Sequence, residues 1–305
     1  MINKTKEKRT EFVQIDTGEI LTAEEIVKEH LQEETEKRTN QVKGLNKRKS
    51  KEELYQYLDF RYGSFSFNSY KRVIELFTSE DKFDGATCFK FIYLVTFMDY
   101  DNKLRYGSKY GDKHREFMTV KDLPEVLMIS RKQAGIVRDK LIALGAVTID
   151  NNDNITINPD LVSKGKLNKG YKQNSARVFE DTVKELYERS TAREHARLAI
   201  FIQLLPYINI YHNSICSNPE EKDARFIEPM SMPDICRVLG LNVEKASRTE
   251  NELFKISVAG EYMIGKFLRY GKYSYCINLR LYYKGSNIED LKALGNLFLI
   301  GTEVK

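Results

Sequence analysis

The sequence predicts a mainly helical α+β fold in which small β-hairpins follow helices and the whole arrangement occurs twice in tandem. One observation is a repeated nine-residue skeleton, INPDLVSKG at 157–165 and INLRLYYKG at 277–285, with five identical positions. Another is that helical periodicity precedes each stretch and strand-like alternation leads into it. A third is the length of 305 residues, which is sufficient for two domains.

Further matches in the same order support an internal repeat. The matched pairs are VIELF at 73–77 with VKELY at 183–187, and MTVKDLPEVLMIS from Met118 with MSMPDICRVLGLN from Met230. The offset grows along the chain, as expected when two copies diverge through short insertions in their loops. We therefore place the first repeat at about 65–165 and the second at about 175–285.

Each repeat is expected to contain a buried central helix. The segment FKFIYLVTFM at 89–98 is apolar on nearly all sides, which is typical of a helix inside a core. The segment ARLAIFIQLL at 196–205 is its predicted counterpart.

Two short helices separated by a tight turn follow in each repeat. Thr119 with Asp122, and Ser231 with Asp234, have the spacing of a capping box, which predicts that a short helix begins at each pair. A second helix is expected after Ser130 in the first repeat and over 243–256 in the second. Two helices in this arrangement form a helix-turn-helix.

β-Hairpins complete both repeats. After Gly145 the apolar period changes to two on either side of DNNDN at 150–154, which predicts a hairpin. The second repeat carries a longer hairpin, from MIGKFLRY through Gly271 to YSYCINLRL. Helix, helix-turn-helix and hairpin is the order of a winged helix, so we expect tandem duplicated winged helix-turn-helix domains.

These patterns divide the chain into five segments. We expect a charged N-terminal arm with an acidic helix and a basic segment (1–64), a first winged-helix domain (65–165), a linker with the lead-in helix of the second repeat (166–192), a second winged-helix domain (193–285) and a C-terminal tail helix (286–305).

The first repeat resembles the winged-helix replication proteins of small Gram-positive plasmids, the RepL type, and is similar to phage proteins built the same way. Three features carry the resemblance: IDTGEIL at 15–21, GSFSFNSYKRVIELF at 63–77 and the hairpin end ITINPDLVSKG at 155–165. The resemblance implies binding to origin or operator DNA without nuclease chemistry. Such plasmid proteins have one winged helix, so the second repeat departs from the pattern and is interpreted as a diverged copy.

The second helix of the first helix-turn-helix is the main candidate for DNA contact. A recognition helix presents the residues of its first turns to base edges, and nearby charges hold phosphates. The candidate residues are Ser130, Arg131, Lys132, Gln133, Arg138 and Lys140. Arginine and lysine suit guanine and glutamine suits adenine, while a solvated helix face is the alternative.

The second repeat distributes its charge differently. Its corresponding helix mixes Lys245 and Arg248 with three glutamates and is poorly suited to a phosphate-lined groove. Its hairpin region, 263–285, has no acidic residue. The basic residues there are Lys266, Arg269, Lys272, Arg280 and Lys284. We expect either wing-led phosphate or minor-groove contact or a winged helix used for protein contact.

The N-terminal arm is a third candidate. Residues 38–51 carry six basic residues, among them Lys47, Arg48 and Lys49, and no acids. A basic arm beside a DNA-binding domain suits phosphate contact, and a flexible linker is the alternative.

The sequence offers no pattern for catalysis, metal or cofactor binding. The four histidines form no HxH or HxxxH pair, the four cysteines form no CxxC pair, and no glycine-rich phosphate loop is complete. We therefore expect no enzyme activity and no cofactor. The absence of an apolar stretch long enough to span a bilayer favours a cytoplasmic protein without a membrane partner.

The expected function is sequence-specific binding of double-stranded DNA in replication initiation by a plasmid or phage. A mildly basic net charge of +5 permits a nucleic-acid partner. A transcriptional regulator that binds an operator is one alternative. A protein-interaction adaptor that recruits replication or transcription proteins is another. Oligomerisation is possible.

Overall fold

The computed structural model describes residues 11–13, 20–80, 82–106, 116–165, 174–269 and 271–302. The chain divides into two compact units, residues 1–55 and 56–305. The mixed α+β class predicted from the sequence is confirmed. Among the described residues, no helix combines the length and the apolar character needed to cross a bilayer.

The first unit contains a small hairpin and most of a long helix. Strands β1 (Glu11–Val13) and β2 (Ile20–Thr22) pair antiparallel, and α1 runs over Ala23–Tyr62. The separate acidic helix and basic segment expected in the arm are thus one continuous helix. No proline interrupts 23–62, and the ion pairs Glu33–Lys37 and Glu34–Arg38 at i,i+4 spacing support the helix.

The first half of the second unit contains β3 to β10. The elements are β3 (Phe65–Ser69), α2 (Tyr70–Leu76), β4 (Thr78–Ser79), β5 (Lys82–Phe83), α3 (Gly85–Val95), β6 (Arg105–Tyr106), β7 (Glu116–Phe117), α4 (Leu123–Val126), α5 (Arg131–Ala143), β8 (Val147–Ile149), β9 (Ile155–Ile157) and β10 (Val162–Ser163). The hairpin predicted around DNNDN is present as β8 and β9. The central helix starts earlier than predicted because Asp84 caps it by accepting from the Thr87 amide.

The second half of this unit contains β11 to α11. The elements are β11 (Ser175–Phe179), α6 (Glu180–Arg189), α7 (Ala192–Leu198), α8 (Ile200–Gln203), α9 (Met232–Val238), α10 (Ala246–Leu253), β12 (Ser257–Val258), β13 (Glu261–Tyr262), β14 (Ile264–Arg269), β15 (Lys272–Ile277), β16 (Tyr282–Tyr283) and α11 (Ile288–Thr302). The predicted long hairpin is β14 and β15, and the expected C-terminal helix is α11.

Two predicted helices have different bounds in this half. The apolar segment 196–205 forms α7 and α8 in place of one helix, and α7 begins early because Thr191 and Glu194 form a capping box. The helix expected over 243–256 is a 3-10 turn, 243–245, followed by α10. The Asn242 side chain caps that turn by accepting from the Glu244 amide.

A four-stranded antiparallel sheet joins the two halves in the order β10–β3–β11–β16. At its centre Phe67 pairs with Arg177, and on either side Ser69 pairs with Ser175 and Phe65 with Phe179. The strand β11 and the helix α6, expected within the linker region 166–192, therefore belong to the sheet and its packing.

The register of this sheet is unchanged when the two halves are exchanged. Val162 pairs with Asn68 at one edge, and Tyr282 pairs with Val178 at the other. Adding 120 to the first member and 110 to the second converts one pair into the other, and these offsets are those of the sequence repeat. The Phe67–Arg177 pair lies at the centre of this symmetry. These two residues are 110 positions apart, so each takes the place of the other when the two halves are exchanged.

Asparagine hydrogen bonds recur in the same way. Asn158 donates from Nδ2 to the Gly145 carbonyl at 2.9 Å, and Asn278 donates to the Tyr262 carbonyl at 3.0 Å. Each Oδ1 then accepts from the amide two residues later, at 2.9 Å. The two similar stretches therefore reverse the chain through the same hydrogen bonds.

A second asparagine pair holds the ends of these stretches. Asn102 donates to the Val162 carbonyl at 2.8 Å, and Asn213 donates to the Ile277 and Tyr282 carbonyls at 2.8 and 3.3 Å. Both asparagines have a positive φ, a backbone conformation that asparagine adopts more readily than most residues.

One hydrophobic core serves both halves of the second unit. Its buried side chains come from α3, α5 and β9 in the first half and from α8, α9 and β15 in the second. The Tyr93 and Tyr187 rings stack across the halves with centroids 3.8 Å apart. The Tyr187 hydroxyl donates to the Leu127 carbonyl at 2.9 Å.

Candidate nucleic-acid interface

A capping box begins the 3-10 turn 120–122 that leads into α4, and a serine cap begins α5. Thr119 and Asp122 form the predicted capping box, in which the Thr119 amide donates to Oδ2 of Asp122 at 2.7 Å. Ser130 caps α5 by accepting from the Gln133 amide at 3.3 Å. Met128, in the turn between the helices, has a φ of 52°, which lets the chain reverse sharply.

The inward face of α5 is apolar and determines which side chains face solvent. Ala134, Val137 and Leu141 are buried in the core. Residues three or four positions apart lie on the same face of a helix, so these three share the inward face. The residues before Ala134, in the first turn, lie on the other faces. Arg131, Lys132 and Gln133 are accordingly exposed, as the sequence predicted.

The charges of the first turn of α5 are available to a ligand. Within the described part of the chain, neither Arg131 nor Lys132 forms an ion pair or a side-chain hydrogen bond. The amide groups at a helix N-terminus add a partial positive charge, so this end favours anions.

The other two basic candidates on α5 have protein partners. Arg138 contacts Asp139, and Lys140 contacts Asp84, the N-cap of α3. Burial alone would raise the pKa of Asp84, but hydrogen bonds from Lys140 and Thr87 outweigh it and lower the pKa. Lys140 therefore ties α5 to α3 as well as presenting an exposed charge.

The hairpin that follows α5 is acidic at its tip. Asp150 accepts hydrogen bonds from the Asn152 and Asn154 amides and from Nδ2 of Asn154 at 2.8–3.0 Å. Bonds from Asn154 lower the pKa of Asp150, and Asp153 follows in the same turn. The carboxylates of DNNDN, visible in the sequence, make this tip unsuited to phosphate contact.

In the second half α10 corresponds to α5, and ion pairs within the protein neutralise its charges. Arg248 pairs with Glu252 at 3.0 Å, and Arg197 from α7 reaches the same carboxylate at 3.3 Å. Lys266 from β14 pairs with Glu250 at 2.9 Å. Lys245 remains exposed in the 3-10 turn before α10.

The tip of the β14–β15 hairpin carries exposed apolar side chains beside basic ones. Leu268 and Tyr273 face each other across the hairpin and are 66% and 62% exposed. Tyr273 is exposed beside the turn, whereas Tyr275, two residues further along β15, is buried. Lys272 is exposed at the turn, and the side chain of Arg269 lies outside the described residues.

Two predicted DNA contacts of the second half are half-buried and have partners within the protein, so the structure corrects their assignment. Arg280 pairs with Glu261 at 2.8 Å, and both side chains are largely buried. Lys284 donates to the Leu205 and Ile208 carbonyls at 3.1 and 3.0 Å. Burial lowers the pKa of Lys284 to about 8. Both residues stabilise the fold and are removed from the exposed basic set.

The basic candidates of the arm lie on α1. Lys47, Arg48 and Lys49 are all exposed on this helix. Because consecutive residues are separated by about 100° around a helix, the three charges project in different directions. Their arrangement spreads positive charge around the circumference of α1 and does not concentrate it on a single contact surface.

His195 and the four cysteines are packed inside the protein. Among the described residues, no group of three His, Cys, Asp or Glu side chains converges on a point. His195 stacks on Tyr187 with ring centroids 4.0 Å apart, and burial lowers its pKa. The four cysteines are buried free thiols.

No family model, curated protein or solved structure matches this chain.

Proposed function

We propose that this chain is a tandem winged-helix protein that binds double-stranded DNA sequence-specifically. The supporting observation is the first turn of α5, where Arg131, Lys132 and Gln133 are exposed on a capped helix anchored in the core. Side chains of these types recognise guanine and adenine edges, and lysine also neutralises phosphate.

The recurring hydrogen bonds support the tandem part of this proposal. Equivalent asparagines, strand pairs and capping boxes lie at offsets of 110–120 residues in the two halves. A duplicated domain explains this recurrence. Two modules in one chain would engage neighbouring half-sites, because the first contact raises the local concentration of the second.

The proposed role is replication initiation by origin binding in a plasmid or phage. Support for the role comes from the RepL-type resemblance of residues 10–165. An operator-binding transcriptional regulator would use the same DNA contacts, so the position of the bound site relative to an origin or a promoter distinguishes the two.

An adaptor function has its own support in the second half. The neutralised charges of α10 and the exposed Leu268–Tyr273 pair are more typical of a protein-binding surface than of a phosphate-binding one. We propose protein recruitment as the second candidate function. It predicts that the chain binds no duplex at physiological salt.

The test is duplex selection followed by equilibrium binding. Duplexes selected from a random pool are titrated with the wild type and with Arg131→Ala, Lys132→Ala and Gln133→Ala. Replacement of a base-contacting side chain should weaken specific binding by about 1–3 kcal/mol and relax the preference at one base pair. Lys222→Ala, which removes an exposed charge elsewhere, serves as the matched control.

A further inference from the structure

The helix α1 extends a long way without side-chain packing. Every described side chain from 31 to 53 is exposed. Residues 23–53 correspond to a rod of about 46 Å at the usual helical rise. Most helices in proteins gain their stability from packing one face against a partner, so a partner is expected for α1.

One stripe of α1 is suited to helix pairing. Positions 24, 28, 31, 35, 38, 42, 45 and 49 follow one another at alternating spacings of four and three, which places them along one side of a helix. The apolar side chains on this stripe are Leu31, Val42 and Leu45, which are 58%, 55% and 63% exposed.

The stripe is complementary to itself when two copies run antiparallel. In this arrangement the residue numbers of two facing positions add up to 73. Position 31 of one copy therefore faces 42 of the other, and likewise 35 faces 38, 28 faces 45 and 24 faces 49. Leu31 of one copy would then contact Val42 of the other, and Lys49 would lie beside the acidic first turn, where the sequence has glutamates at 24 and 25.

The charge distribution selects this direction. Residues 24–36 carry six acids and one lysine, whereas 37–51 carry seven basic residues and no acid. Parallel pairing would place Lys28, Arg38 and Lys49 each beside its own copy. Antiparallel pairing places the acidic half against the basic half, and like charges in register destabilise helix pairs.

We propose that α1 mediates association of two copies of this chain through an antiparallel helix pair centred between residues 36 and 37. Lys43, Lys47 and Lys51 lie on the opposite side of the helix and stay outside the contact. The pairing does not depend on DNA binding.

Complementary charge reversal tests the proposal with the full chain. Variant A carries Glu24→Lys and Glu25→Lys, and variant B carries Arg38→Glu and Lys49→Glu. The control carries Lys43→Glu and Lys47→Glu, which changes net charge by the same amount as variant B but on the opposite side. Self-association is measured by sedimentation velocity at low salt.

The expected result is a dimeric wild type and control, with variants A and B each self-associating on the order of tenfold or more weakly. An equimolar mixture of A and B should recover dimers as 1:1 heterodimers, which also shows that both variants are folded. A monomeric wild type overturns the proposal. So does unchanged association of A and B, failure of the mixture to recover dimers, or equal loss in the control.

Discussion

Lys164 and Lys284 occupy the same place in the two halves, and each contacts the first residue of a helix in the other half. Lys164 forms an ion pair with Glu180, which begins α6, at 2.8 Å. Lys284 lies over the ring of Tyr70, which begins α2, at 4.9 Å. Glu180 and Tyr70 are themselves separated by 110 residues, so the two lysines contact equivalent positions. The contact between the halves is an ion pair at Lys164 and a cation–π contact at Lys284.

The Lys164–Glu180 pair should be strongly coupled because it is buried. Lys164→Met would leave Glu180, which is 5% exposed, without its cationic partner and cost about 3–5 kcal/mol. The double variant Lys164→Met/Glu180→Gln should recover part of that loss. Urea unfolding of the four proteins in a double-mutant cycle measures the coupling, and additive costs would show that the two groups do not interact.

The same pair predicts a pH dependence. Burial raises the pKa of Glu180 even with Lys164 present. In Lys164→Met the pKa should rise further, because the lysine charge that lowers it is removed. A carboxyl whose folded pKa is raised binds more protons in the folded state, so this variant should lose stability relative to the wild type as pH rises from about 5 to 8. A pH-independent difference between the two proteins would contradict this reasoning.

Lys284 predicts the opposite slope at higher pH. Burial lowers its pKa from 10.5 to about 8, so between these values the unfolded chain binds the extra proton. The wild type should therefore gain stability relative to Lys284→Met as pH rises through this window, by at most about 3 kcal/mol. Chemical unfolding of both proteins from pH 7 to pH 10 gives the difference. A constant difference would mean that Lys284 titrates normally.

The two chain-reversing asparagines should both be required for stability. Asn158→Ala and Asn278→Ala each remove a side-chain bond to a carbonyl and one from an amide, at a cost of about 1–3 kcal/mol. The loss should be larger at Asn278, which is 2% exposed and also bonds Glu261. Thermal unfolding measures both, and a neutral Asn278→Ala would show that the recurring bonds are dispensable.

Local patterns allowed much of the fold to be predicted. Capping pairs such as Ser231 with Asp234 and alternation around DNNDN depend on neighbouring residues, and both are confirmed. The pairing of β3 with β11 joins residues about 110 positions apart, which local patterns do not reveal. Each of these short strands was therefore interpreted as the segment leading into the helix that follows it. The continuity of α1 was missed because only Leu31, Val42 and Leu45 are apolar along its stripe, too few to give a clear helical period.

The misplaced basic residues have an instructive cause. Charge alone does not reveal whether a lysine has a buried partner, and Lys284 was assigned to the surface because its region lacks acids. Its partners are carbonyls and an aromatic ring, which a count of acids does not detect. The repeat itself could have revealed that Lys284 is structural. The two similar stretches share a lysine, Lys164 and Lys284, at the same distance from a buried leucine, Leu161 and Leu281, which indicates a structural position.

Salt-dependent binding of one selected duplex tests the central claim about α5 most directly. The affinity of the wild type, Lys132→Ala and Lys222→Ala is measured by fluorescence anisotropy from about 50 to 200 mM salt. If Lys132 contacts a phosphate, its replacement should weaken binding and reduce the slope of log affinity against log salt by about 1, while Lys222→Ala changes neither. Equal slopes and affinities for all three proteins would contradict DNA binding through the first turn of α5.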